Sequence, residues 1–147
     1  GDWSSDVCSS DLGEFIMQSS IHALLEQVAT TDIDFDKKCF ERFFQISEEG
    51  KTLMAHMDRV HRGKMMAEIY RLMMARDLDD EADYLNWEAQ NHETAYFVPG
   101  RLYPIFMRAF KEAVAETLDY GWTKADEDAF ARRCDQIVTE IQSRYSH

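Results

Sequence analysis

The chain has 147 residues, the size of one typical domain, and its 45% hydrophobic and 12% aromatic content is enough to build a core. A formal net charge of -12 argues against nucleic acid or an anionic membrane as partner, because phosphate binding needs a basic face. No apolar run approaches the roughly 20 residues of a membrane span, and Cys8, Cys39 and Cys134 form neither a disulfide framework nor a zinc spacing, so a soluble protein of the reducing cytoplasm is expected.

Only two prolines and six glycines interrupt a chain rich in Met, Leu, Ala and Glu, a composition that favours long helices and an all-α fold. Residues 1–16 stand apart. The stretch GDWSSDVCSSDLGEF is rich in Ser and Asp, lacks the basic and apolar segments of a signal peptide, and reads as adapter- or vector-like sequence or a disordered leader. The folded domain is expected over residues 17–147, with Met17 as its start.

Ile21, Leu24, Leu25 and Val28 fall at helical spacing and predict a short first helix that breaks at Thr30 to Asp32. Asp34 is a candidate cap for the next helix, whose Phe40, Phe43 and Phe44 make a dense aromatic face; Ser47 to Gly50 interrupt it. Beyond Leu53 and Met54, the residues Met57, His61, Met65, Ile69, Leu72 and Met73 read as one apolar stripe with Met66 beside it, and His61 is the polar exception on that face. Leu85, Ala89 and His92 share a face of a shorter helix that delivers an imidazole at its end. After the corner at Tyr96 to Pro99, the residues Leu102, Phe106, Ala109, Phe110, Ala113, Thr117 and Leu118 stripe a deeply placed helix. Thr123 and Asp126 suit a capping box for a last helix carrying Phe130, Cys134, Ile137, Val138 and Ile141. Cys39 and Cys134 lie near apolar faces and read as small core residues, and no nucleophile constellation is recognisable.

The order and separation of these motifs resemble the globin family, specifically the single-domain bacterial globins, over residues 18–145. The resemblance rests on Phe40-Glu-Arg-Phe-Phe44, Leu53-Met54, His61 with Met65, His92 at the end of a short helix, the corner Tyr96-Phe97-Val98-Pro99, Tyr103, and Trp122 before the last helix. It implies a globin-like helical sandwich around a pocket for haem b, with His92 as the proximal ligand to iron. Phe40, Phe43, Met54, Met65, Ile69, Leu85, Val98 and Phe106 are then the candidate wall, and Tyr96 and Tyr103 are candidates for a propionate contact or proximal support. His61 is the preferred distal residue, with Arg62 and Lys64 as alternatives because the preceding turn varies in length. Met54 stands where globins place a phenylalanine, and Phe40 where many bacterial members have a tyrosine.

By that resemblance the protein binds oxygen or nitric oxide reversibly. Oxidation of nitric oxide to nitrate is open to it where a separate reductase supplies electrons. Two other readings remain: a haem-free globin-like sensor or interaction domain, and a non-haem metal protein using His56, His61, His92 and carboxylates. The last ranks lowest, since helical metal sites usually repeat a Glu-x-x-His pair and this chain does not.

Overall fold

A computed structural model describes residues 13, 16–17 and 20–146. The leader expected over residues 1–16 falls largely outside the described residues. Among the described residues every regular element is helical, which bears out the all-α expectation. We number seven α-helices in chain order: α1 over residues 20–29, α2 Phe35–Ile46, α3 Glu48–Leu53, α4 Arg59–Met74, α5 Ala82–Thr94, α6 Leu102–Leu118 and α7 Lys124–Gln142. Short 3-10 turns, Leu78–Glu81 and Asp119–Gly121, precede α5 and follow α6. Among the described residues no helix is long and apolar enough to cross a membrane.

Side-chain caps set where several helices begin, because an acceptor there satisfies an orphan backbone N–H. Asp34 accepts from Lys37 N at 3.2 Å, Ser47 from Gly50 N at 2.9 Å, and Asp58 from His61 N at 2.9 Å. Thr123 and Asp126 form the expected reciprocal capping box at α7, with bonds of 3.1 and 2.9 Å.

Three helices carry the core. The apolar face of α6 lies between α2 and α7, and its most extensive packing is against α2. Phe106 meets Phe40 and Phe43 with ring centroids 5.5 and 5.0 Å apart, in edge-on geometry. One turn further, Phe110 meets Phe35 at 5.8 Å and Phe130 of α7 at 6.3 Å. These rings, with Ile21, Leu24, Leu25 and Val28 of α1 and Ile137 and Ile141 of α7, make one continuous buried cluster. Helix α4 rests on α2 and α7, and α5 rests on α7. Arg71 links α4 to the 3-10 turn and the start of α5, pairing with Glu81 at 3.4 Å and lying 4.2 Å over the Tyr84 ring. Buried Arg133 of α7 donates to the Leu72 carbonyl at the end of α4, at 3.4 Å.

Candidate functional site

His92 sits where the sequence suggests, one turn beyond the buried Leu85 and Ala89 on α5. Its side chain is 23% exposed. Both ring nitrogens are engaged. Nε2 contacts the Glu88 carboxylate one turn back on the same helix, and Nδ1 contacts the Tyr103 hydroxyl on α6. The Tyr103 ring stacks on the imidazole at 5.8 Å and 23°, while Tyr96 approaches edge-on at 6.1 Å.

The chain of polar contacts continues in both directions. Tyr84 donates its hydroxyl proton to Glu88 at 2.9 Å. On the other side, the Tyr145 hydroxyl donates to the Val98 carbonyl at 2.8 Å and lies 3.3 Å from the Tyr103 oxygen. With His92 neutral, Nε2–H donates to Glu88 and the Tyr103 hydroxyl donates to Nδ1. With His92 cationic, Nδ1–H donates to Tyr103, whose own proton then turns to Tyr145. Both arrangements leave every ring nitrogen satisfied, so the imidazole keeps its orientation through a change of charge. Burial pushes the Glu88 carboxyl up, but hydrogen bonds from His92 and Tyr84 and the attraction of His92 outweigh it and hold the group below the usual carboxylate value. Burial, first, and then the contact with Tyr145 raise Tyr103 far above an ordinary phenol.

The corner after α5 is tied down and strained at once. Val98 N donates to the His92 carbonyl at 2.8 Å, which requires Phe97 to adopt φ 55°. A bulky residue in the left-handed region costs about 1–2 kcal/mol. Gln142 donates to the Gly100 carbonyl at 3.0 Å, and the Ser146 backbone bonds Glu93, so the end of the chain fastens the corner that Tyr145 also holds. Phe97 nevertheless remains 75% exposed. It borders an open cleft of about 470 Å³ shared with Glu48, Glu49, Thr52, Leu53 and Pro99, beside which Arg101 bonds Glu49 at 2.6 Å.

The opposite side of the arrangement departs from expectation. His61 was expected on the inner face of α4, but its side chain is 66% exposed and its Nδ1 lies 2.7 Å from Asp58, the residue that caps the helix. The reason is where the helix starts. Met57 precedes the Asp58 cap, so counting a helical stripe from Met57 to His61 is not valid, and the buried face runs instead through Met66 and Met73. Arg62, one turn before Met66, takes the inner position. Its guanidinium carbon lies 5.2 Å over both the Phe40 and the Phe44 ring.

The expected wall divides in two. Phe40, Phe43, Leu85 and Phe106 are buried by protein side chains and act as core, whereas Met54, Met65, Ile69 and Val98 are half-buried and keep apolar surface to offer. Tyr96 is 62% exposed, with its edge toward His92. His56 and Lys64 are exposed. Among the described residues no group of three or more His, Cys, Asp and Glu side chains is arranged to hold a metal ion.

What joins the two sides is one face of α6. Tyr103 holds His92, and Phe106, on the next turn of the same face, packs on Phe40, over which Arg62 lies. Sequence reasoning missed Glu88, Tyr84 and Tyr145. The Glu88 and His92 pair is readable as an i, i+4 spacing. The contribution of Tyr145 depends on how α7 crosses the corner and has no local signature. No protein-family model matches the chain, and comparison with curated proteins finds no match.

Proposed function

We propose that this chain is a haem-binding, globin-like protein of the cytoplasm that takes a diatomic gas, oxygen or nitric oxide, with His92 as the proximal ligand. The observation that carries the reading is the fixing of His92. Its Nδ1 is held by Tyr103 from a different helix, the kind of partner that sets the tautomer and aim of an axial imidazole. Bound haem would supply an iron able to take the gas, with His92 as the residue that would hold it.

His92 and part of the expected wall support that group. His92 is a half-buried imidazole at a helix end, and Met54, Met65, Ile69 and Val98 retain apolar surface suited to a flat apolar ligand. For Nε2 to become a ligand, the Glu88 carboxylate must turn aside, and the Tyr84 hydroxyl at 2.9 Å is already in place to keep it hydrogen-bonded. The Tyr103 contact then orients the ring, and the bond from Val98 N–H to the His92 carbonyl ties the end of α5. Oxidation of nitric oxide to nitrate would need electrons from a separate reductase. A haem-free sensor or interaction domain is the second reading, favoured by the pairing of both His92 nitrogens within the protein itself.

The deciding experiment is the visible spectrum of the full chain reconstituted with haem, in ferric, ferrous and carbon monoxide forms, against His92→Ala. Stoichiometric haem with a Soret band that shifts on reduction and gas addition is expected. In His92→Ala that band should weaken and return when free imidazole is added. Absence of stoichiometric haem, or binding indifferent to His92, would overturn the reading in favour of the haem-free domain.

A further inference from the structure

Phe97 is strained and unburied at once. Its backbone stands at φ 55°, where glycine or asparagine is at ease and a bulky residue is not. Such a conformation persists only where the surroundings enforce it. Here Val98 N–H bonds the His92 carbonyl at 2.8 Å, Tyr145 bonds the Val98 carbonyl at 2.8 Å, and Gln142 bonds the Gly100 carbonyl at 3.0 Å. The ring itself contributes little to the core: at 75% exposure it is the barest of the large, wholly apolar side chains among the described residues. Neither backbone preference nor core packing therefore accounts for a phenylalanine at this position, and strained residues held in this way gather where a protein meets its ligands.

The surroundings of the ring have a definite character. Phe97 shares its open cleft of about 470 Å³ with exposed Leu53 and with Pro99, and the charged side chains that line the cleft, Glu48 and Glu49, are both acidic. Glu49 is bonded to Arg101 at 2.6 Å, whereas Glu48, among the described residues, enters no ion pair. An aromatic face beside a carboxylate suits a guanidinium or ammonium group, which is drawn to the ring and donates to the carboxylate oxygen. Charge then decides between occupants. A second copy carries the same net charge of -12, and residues 1–12 hold Asp2, Asp6 and Asp11 with no basic side chain, so both meet repulsion at Glu48. A segment that carries basic and apolar side chains meets attraction on both counts.

We propose that the cleft between α3 and the corner after α5 docks a basic segment of a partner protein, with an apolar side chain laid on Leu53, Phe97 and Pro99 and an arginine or lysine at Glu48. The fastened corner holds Phe97 outward before the partner arrives, which lowers the ordering cost of association. The haem reading is not needed for this site, because none of these residues is among those expected to hold haem.

The probe is a short amidated peptide of Lys, Arg and Leu with one Trp, titrated into the nitrogen-labelled full chain and followed by NMR. Saturable amide shifts confined to residues 48–53 and 96–101 are expected, with an affinity that falls as salt rises. Phe97→Asn is expected to weaken binding about tenfold or more, as loss of a central aromatic contact does, and to melt at a temperature no lower than wild type, because asparagine accepts the left-handed backbone. Glu48→Gln is expected to weaken binding and flatten the salt dependence, and a peptide of equal charge made of Lys and Ser alone should bind more weakly at these residues. Shifts spread over the acidic surface, no saturable binding, or an affinity that Phe97→Asn leaves unchanged would overturn the proposal. So would a concentration-dependent dimer in sedimentation that Phe97→Asn abolishes, which would seat a second copy in the cleft, or arginine amide binding as tightly as the peptide, which would make it a small-molecule site. A large drop in the melting temperature of Phe97→Asn would overturn it as well, by showing that the ring serves the fold.

Discussion

A single carboxylate, Glu88, links the histidine of the site to the stability of the helix that carries it. Its side chain accepts from Tyr84 and engages His92, and these contacts outweigh burial to hold its pKa below the ordinary value. The sign of the pH effect follows. In the unfolded chain this carboxyl titrates near the usual glutamate value of about 4.3; in the folded chain it stays ionised to lower pH. Its stabilising contribution is therefore complete above about 4.3 and is lost as pH falls toward the lower folded value. Thermal melts of wild type and Glu88→Gln are expected to differ at pH 7, with wild type the more stable, and to converge as pH falls through the lowered folded value. A difference independent of pH would contradict this. The residue scale also shows what spacing can and cannot tell. Glu88 and His92 are recognisable from the chain because both lie on one helix, whereas the pairing of His92 with Tyr103 requires two helices to meet.

At the scale of elements, the joint between α2 and α3 is the most sharply constrained. Gly50 lies buried in the first turns of α3, and a Cβ built there would sit closer than 3.0 Å to three atoms of the Phe43 ring. That ring has no room to move, for it is wedged between Phe44 at 6.0 Å and Phe106 at 5.0 Å. Gly50→Ala is expected to destabilise the fold by about 1–3 kcal/mol, as overpacking does, measurable by chemical denaturation; a neutral effect would mean that the elbow is looser than its packing implies. Glycine is required here by space, since its backbone is ordinary helix. Helix α4 teaches a second lesson. Its methionines mark a buried helix from sequence, but the inward face depends on where Asp58 starts the helix, and one position of phase exchanges His61 for Arg62.

For the whole molecule, the tyrosines report how far the polar chain around His92 and the core are sealed. Burial foremost, with nearby carboxylates or the Tyr145 hydroxyl, raises Tyr70, Tyr84 and Tyr103 far above a free phenol. Because the unfolded chain ionises these groups near pH 10 and the folded one does not, their contribution to stability is present below that pH and lost as pH rises above it. In a spectrophotometric titration, Tyr70, Tyr84 and Tyr103 should ionise only together with alkaline unfolding, and single Phe substitutions identify each one. Ionisation of Tyr103 in the native protein would show that the contact with His92 is open to solvent. Burial likewise raises the Cys134 thiol to about 12, consistent with its expected role as a small core residue.

The helices, their order and most of the core are legible along the chain. Long stripes such as Leu102 to Val114 and Phe130 to Ile141, and caps such as Asp34 and the Thr123 box, are local features whose physics lies within a few residues of the chain. The sequence also singled out His92 as the candidate on which the proposed function rests. Which groups meet it depends on how the helices pack. Tyr103, Tyr145 and the Val98 carbonyl come together because α6, the end of α7 and the corner converge, a matter of packing rather than periodicity. The same holds on the other side. An exposed His61 and an inward Arg62 follow from the start point of one helix and from the aromatic faces of another, neither of which hydrophobic spacing along α4 encodes.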